Sequence, residues 1–481
     1  MSVQTPPTLL KLARQALLRD EALAMSSVEE LPRELFPALF KEALDGRKTM
    51  LIKTMVAAWP FPCLPVGALM VTPDLETLKA VLDGVDMRLT REFHPRRQKL
   101  QILDLRNVNH AFWNTWAGEE ECDYLTETVD EKQVVTILPR HALKDCLSVV
   151  VDFYIHYCLK DEEACLLQWA QQRKAYINFC CVKMKIWALP FYVIQGILEV
   201  FHPKHIQEFK LNIGWIEDTV SRFTPCFGQM TNLHTLSLAP TYNKTFKHGW
   251  TTSPREQKYV NKFISQFSNL KGLQHLSMKG LGFLRDHMKQ LFGCLRKPLE
   301  TLSITHYQIS QSDLDSFSCS QRLFQLKHLD MRGIILLLLD IMPLKVLLEN
   351  LADTLQSLDL KGCRMSNSQL TVLIPALSHC SKLTKVNFYN NNFSMPILKD
   401  FLRHTANLNK LNVEQYPAPL ECYDDLGALS TELFVQLCAE LMDTLLAVRQ
   451  PKNISFASEV CVRCRERCVY ALGPRLCLCW Q

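Results

Sequence analysis
The chain has 481 residues, 48% of them apolar, and a formal charge of +5 from 54 basic and 49 acidic side chains. So balanced a charge gives no case for nucleic-acid binding; with no apolar run near 18 residues and no basic segment leading into an apolar core at the amino terminus, neither a membrane span nor a secretory signal is expected. Nineteen cysteines, mostly single among apolar residues, read as reduced buried thiols, so the expected compartment is the cytoplasm with the nucleus second, and the Asn-x-Ser/Thr matches at Asn243, Asn392 and Asn453 are set aside.

After Pro6-Pro7, the stretch Thr8 to Leu18 combines strong helix formers with apolar residues at Leu9, Leu12, Ala13, Ala16 and Leu17, which predicts an amphipathic helix. Ser26 with Glu29 three residues on reads as a helix cap, and a further helix is expected from near Pro32. Pro60, Pro62 and Pro65 then interrupt helix inside an amino-terminal cap, where Leu100, Leu103 and Leu105 supply a first strand. Residues 118–133 are acidic and poor in large apolar side chains and predict an exposed loop. Helices are expected from about His141 to Gln171, followed by a strand over Ile177 to Ile186. Tyr242 to Tyr259 is an insertion carrying Lys244, Lys247, His248, Trp250 and Arg255, either surface decoration or a partner-binding loop.

From Ile206 to Val413 the pattern apolar-x-x-apolar-x-apolar recurs, from Ile206/Phe209/Leu211 through Leu355/Leu358/Leu360 to Leu408/Leu411/Val413. Successive starts lie 25 to 29 residues apart, with one gap of 40. A fixed period of this size is the signature of an α/β leucine-rich-repeat solenoid, in which each unit adds one parallel strand and one return helix. Repeats of this length favour a curved horseshoe of the ribonuclease-inhibitor type. The strand period of two sends alternate residues outward, so Lys279, His328, Arg332, Asp359, Lys361 and Tyr389 are the expected client-binding residues of a concave stripe ending at Lys410 and Glu414. Cys363 and Asn391 stand at the ninth position of their repeats, where an amide or thiol satisfies backbone groups at the turn. No catalytic constellation emerges: no Gly-rich phosphate loop, no nucleophile elbow and no histidines at ligand spacing.

The tail differs in kind. Cys461-x-x-Cys464, followed about a dozen residues later by Cys477-x-Cys479, can set four thiolates around one structural zinc, with Cys468 as a competing ligand and Arg463, Arg465, Arg467 and Arg475 favouring the charged sulphurs; a free reduced tail is the alternative.

Several stretches together resemble the PRAME family of leucine-rich-repeat proteins. They are Leu31 to Phe40, Met55 to Pro65, Leu82-Asp-Gly84, Pro95-Arg-Arg97 with Leu100 to Arg106, Glu300 to Thr305, Leu377 to Ser381 and Tyr416 to Glu421. The resemblance implies a role as substrate receptor of a cullin-2 ubiquitin ligase, with elongin B/C, cullin-2 and a RING subunit as partners. The elongin motif of that group, Thr-Leu-x-x-x-Cys-x-x-x-aliphatic, is met by Thr8, Leu9 and Leu17, with Ala13 standing where the motif has Cys. The cullin pattern is met by Leu31, Pro32, Leu35 and Leu39. The resemblance equally implies a ligase-independent alternative, a repressor of nuclear-receptor transcription affecting proliferation, differentiation and apoptosis. That alternative needs a Leu-x-x-Leu-Leu box; Leu344-Lys-Val-Leu347-Leu348 matches it, and Leu441-Met-Asp-Thr444-Leu445 breaks it at Thr444. The chain thus divides into docking helices (1–45), a cap (46–176), the repeat array (177–416) and a carboxy-terminal cap with its cysteine tail (417–481).

Overall fold
The structure is a computed structural model that describes residues 8–70, 74–90, 99–108, 112–113, 147–241, 254–477 and 479. The acidic stretch 118–133, the motif at 95–97 and the basic insertion at 244–250 lie outside these residues. By its contacts the chain forms two compact units, Met1–Ile206 and Gln207–Gln481.

The first unit opens with α1 (Leu9–Arg19), α2 (Glu21–Ser27), α3 (Leu35–Asp45), α4 (Thr49–Ala57) and α5 (Leu75–Leu89). α6 (Asp161–Arg173) and α7 (Phe191–Val200) follow in the second half of the unit. Its strands β1 (Cys63–Leu64), β2 (Ile102–Asp104), β3 (Ser148–His156) and β4 (Asn178–Trp187) pair in parallel and in sequence order. Parallel strand addition therefore begins well before the clearest repeats.

Three local expectations need correction here. The run Ser148-Val-Val-Val-Asp-Phe-Tyr-Ile-His is a strand, not helix: three successive β-branched residues buried on both faces leave no alternation to read. Ser26 caps nothing, because α2 is started by Asp20, whose carboxylate accepts the Leu23 N–H at 3.0 Å, and Ser26 sits in the last turn. α3 begins at Leu35, since Pro32 and Arg33 form a turn that accepts the N–H groups of Leu35 and Phe36.

An aromatic cluster holds this unit together. Trp59, wholly buried, donates its indole N–H to Cys63 O at 2.9 Å and meets Phe40 edge-on with ring centroids 5.2 Å apart. Trp113 donates to Pro65 O at 2.7 Å. Gly84 of the Leu-Asp-Gly motif lets α5 press on α4: a Cβ there would lie 2.6 Å from Lys53 O and 2.7 Å from Val56 Cβ. Asp86 clamps α6 by accepting from Arg173 Nη2 at 2.6 Å and from the Trp169 indole at 3.1 Å.

The second unit is a leucine-rich-repeat solenoid. Its strands β5 (Glu208–Ile213), β6 (Thr235–Pro240), β7 (His275–Lys279), β8 (Thr301–Thr305), β9 (His328–Asp330), β10 (Ser357–Asp359), β11 (Lys385–Asn387), β12 (Val413–Pro417) and β13 (Asn453–Ala457) each pair in parallel with the next. The hairpin β14 (Val469–Tyr470) and β15 (Pro474–Arg475) closes the sheet antiparallel. Return helices are α8 (Glu217–Phe227), α9 (Pro254–Ser265), α10 (Met288–Cys294), α11 (Gln311–Cys319), α12 (Met342–Asn350), α13 (Asn367–Ser378), α14 (Met395–His404) and α15 (Thr431–Leu446).

The register matches the sequence from β5 to β11: Leu236, Leu276, Leu302, Leu329 and Leu358 stack in one wholly or almost wholly buried row. The expected turn chemistry is also present. Asn391 donates its amide to Leu360 O at 2.8 Å and Phe388 O at 2.9 Å and accepts the Met365 N–H at 2.9 Å, while the Cys363 thiol donates to Met331 O at 3.2 Å. Among the described residues no helix is long and apolar enough to cross a membrane.

At β12 the expected frame fails. Val413 pairs with Lys385 and Glu414 with Val386, so the repeat starts at Leu411 rather than Leu408, and its spacing from Leu383 becomes 28 instead of 25. Lys410 precedes the strand, and Glu414 is not on the outward face but occupies a leucine position of the core, 1% exposed. Both of its carboxylate oxygens accept from Arg449, one at 2.5 Å, and Oε2 also accepts the Tyr416 hydroxyl at 2.8 Å. A buried carboxylate in a leucine slot survives because all its charge is answered there.

Candidate functional site
Three surfaces bear on function. The first is α1. Thr8 is its cap, with Oγ1 accepting the Lys11 N–H at 3.2 Å. None of the helix's residues is buried; Leu9 is 85% exposed, Leu10 and Leu12 are exposed, Ala13 is exposed and Leu17 is half-buried. It is held at one side by Arg14, which pairs with Glu42 of α3 at 3.0 Å.

The residues of the cullin pattern are distributed differently. Leu31 and Leu39 belong to the core, at 8% and 0% exposure, Leu35 is half-buried and Pro32 is exposed. The three leucines therefore do not form a free stripe; only Pro32 and the edge of Leu35 are open to a partner. The nuclear-receptor box is more deeply occupied, since Leu344, Leu347 and Leu348 of α12 are all wholly buried, as are Leu441 and Leu445 of α15.

The second surface is the outward face of the repeat sheet. Lys279, Asp359, Lys361 and Tyr389 are half-buried there, and His328 and Arg332 are exposed. A local motif recurs at the carboxyl ends of the strands: the Asp330, Asp359 and Asn387 side chains accept the backbone N–H two residues on, from Arg332, Lys361 and Tyr389, each at 3.1 Å. Asp330 further accepts two bonds from the Arg332 guanidinium, at 2.9 and 2.7 Å, with Asp359 at 3.6 Å. Arg332 is thus neutralised within the sheet rather than presented as a free charge. Burial pushes the Asp359 carboxyl up, with Asp330 adding to the rise and the Lys361 N–H and Arg332 opposing it. His328 is pushed down by desolvation, with His275 and Lys327 nearby.

Sequence reasoning missed an exposed apolar loop that follows β9. The run Ile334 to Leu339 follows β9 directly, turning at Gly333 (φ 70°); Ile334 and Leu336 go inward, while Ile335, Leu337 and Leu338 are exposed, Leu338 at 93%. A run of six apolar residues without helical period was the available signal.

The third surface is the tail. The sulphurs of Cys461, Cys464 and Cys477 lie within 4.8 Å of one another. The backbone N–H groups of Cys464 and Arg463 hold the Cys461 thiol down to about 7. Burial pushes Cys477 up to about 12, and a hydrogen bond with Cys464 leads in raising Cys479 to about 11. Cys468, buried, lies apart and accepts the Cys477 N–H at 3.4 Å. Arg467 does not face the sulphurs: it donates to Asn390 Oδ1 at 2.6 Å and Ser458 O at 2.8 Å and lies 5.6 Å from the centre of the Tyr389 ring.

Comparison with known proteins gives matches to the PRAME N-terminal domain over residues 6–113 and the PRAME C-terminal domain over residues 147–479. The chain belongs to the PRAME family. Human PRAME family member 8 is 43% identical over the whole of both chains, and human PRAME family member 12 is 44% identical over 99% of this chain and 98% of its own. The mouse Preferentially expressed antigen in melanoma-like protein 7 is 39% identical over the whole of both chains. Among solved structures, the leucine-rich-repeat-containing protein LegL7 of Legionella pneumophila is similar at 13% identity over 63% of this chain and 90% of its own, with a TM-score of 0.37. PRAME-family membership and a repeat solenoid together make this a protein-interaction module.

Proposed function
We propose that the protein is the non-catalytic substrate receptor of an elongin- and cullin-type RING ubiquitin ligase, with α1 as the adaptor-docking helix and the outward sheet face with its Ile335/Leu338 loop as the client-binding surface. The observation that carries this reading is the state of α1: a capped helix, matching the motif at Thr8, Leu9 and Leu17, that buries none of its residues and exposes Leu9, Leu10 and Leu12 together. Ala13, where the motif has cysteine, leaves a smaller contact between Leu9 and Leu17, and the exposed Leu10 and Leu12 widen the apolar area beside it. Cullin contact falls to Pro32 and the open edge of Leu35. The repressor alternative loses its docking element, because exposing Leu344, Leu347 and Leu348 requires α12 to leave the solenoid. In this role the chain only presents the client; the conjugating enzyme recruited by the RING partner transfers the ubiquitin.

The test is binding of purified full-length protein to elongin B/C. Removing one leucine from an apolar interface costs roughly 1.5 to 3 kcal/mol, so Leu9→Ser weakens binding at least about tenfold while leaving the circular dichroism unchanged. If the wild-type protein binds neither elongin B/C nor any cullin complex, or if Leu9→Ser binds as well as wild type, the receptor reading fails.

A further inference from the structure
We propose that Cys461, Cys464, Cys477 and Cys479 form a structural tetrathiolate zinc site that clips the chain's last segment onto the end of the repeat sheet. Tetrahedral zinc holds sulphurs at about 2.3 Å, which sets neighbouring sulphurs roughly 3.8 Å apart. Three of these sulphurs already stand within 4.8 Å of one another, so bringing them onto one metal needs shifts of about an ångström, and Cys479, two residues after Cys477, supplies the fourth thiol by its spacing. The three converging sulphurs come from two separate segments, which chance spacing along a tail does not bring together.

The turn has the form a metal knuckle requires. Cys461 O accepts the Arg465 N–H at 3.0 Å, the Cys461 N–H returns to Glu466 O at 2.8 Å, and Arg465 takes φ 62°. Cys468 stands outside the group, its sulphur taken by the Cys477 N–H, and serves to fasten the two strands of the hairpin. No disulfide joins any of these residues.

The site has a mechanical consequence. Between the two cysteine pairs lie β14 and β15, which cap the edge of β13, and Arg467, which reaches Asn390 and the Tyr389 ring at the end of the outward face. A metal joining Cys461 and Cys464 to Cys477 and Cys479 makes this cap a closed loop, so its loss frees Arg467 and uncovers the β13 edge.

The experiment uses full-length protein purified under reducing conditions without chelator. Plasma mass spectrometry is expected to find about one zinc per chain, and exchange with Co²⁺ to give the intense sulphur-to-cobalt absorption of a thiolate-rich tetrahedral site. Cys461→Ser with Cys464→Ser loses the metal and exposes the segment after Ser458 to protease, whereas Cys468→Ala keeps it. Should the double variant misfold, Cys479→Ser, at an exposed position, still reads the site by releasing zinc to a chelator at least tenfold faster than wild type. Protein with less than about a fifth of an equivalent of zinc and no cobalt spectrum overturns the proposal, as does zinc retained by the double variant or lost from Cys468→Ala.

Discussion

The ion pair in the leucine slot of β12 offers the sharpest test of the packing argument. Glu414 and Arg449 have side chains 0% and 6% exposed, and Tyr416 donates its hydroxyl to the same carboxylate. Arg449→Leu leaves the carboxylate buried without its cation, a loss worth about 3 to 5 kcal/mol at such sites. Changing Glu414→Leu as well removes the charge but orphans the Tyr416 hydroxyl, at about 1 to 3 kcal/mol. Adding Tyr416→Phe completes an ordinary repeat, Leu411-x-x-Leu-x-Phe, and the triple variant is expected within about 1 kcal/mol of wild type or above it. Urea unfolding followed by circular dichroism, with native-state hydrogen exchange of the β12 and β13 amides, reads both the global and the local change. The reasoning is refuted if Arg449→Leu costs less than about 1 kcal/mol, or if the triple variant is no more stable than Arg449→Leu alone.

Two further outcomes follow from buried polar groups. Desolvation pushes His205, whose Nδ1 is buried without a partner, down from 6.5 to about 4. Between those values the unfolded chain holds a proton the folded chain does not, so stability is full above about pH 6.5 and falls on acidification, by about 2 kcal/mol at pH 5, in urea titrations; His205→Leu is expected to flatten that part of the pH profile, and an unchanged slope would contradict it. Asn391→Ala strands the Leu360 and Phe388 carbonyls and the Met365 N–H together, so it is expected to cost at least about 2 kcal/mol by the same measurement, and a cost under about 0.5 kcal/mol would mean that water takes over the turn.

The repeat frame was legible because leucine spacing and strand pairing obey one period, and from β5 to β11 the pairing keeps its register even across the 40-residue gap between β6 and β7. It was lost at β12 for a local reason: Leu408, itself 2% exposed, imitates the first position, and a charged residue fills the slot that marks the strand. β3 was illegible for the opposite reason, since its first half, Ser148 to Val151, is buried on both faces and has no polar alternation to separate it from a buried helix. In the tail, the sulphurs of Cys461, Cys464 and Cys477 converge, but the arginines were assigned to them by proximity in sequence; that Arg467 turns instead to Asn390 and Tyr389 depends on contacts 77 residues apart in sequence.

The same limit governs the docking motifs. Leu9/Ala13/Leu17 and Leu31/Leu35/Leu39 share four-residue spacing, as do Leu344 and Leu348, yet the first set is largely open, the second half absorbed and the third wholly buried. Spacing fixes which residues share a helix face, and what covers that face is fixed by other helices. α3 carries Phe36 and Phe40 into the cluster around Trp59 and buries Leu39 completely, so this face is claimed by the fold, whereas α1 meets α2 and α3 along one side and keeps Leu9 outside. Truncating Leu39 therefore probes the stability of the cap before it probes a cullin, and Pro32 and Leu35 are the positions at which cullin contact and folding can be separated.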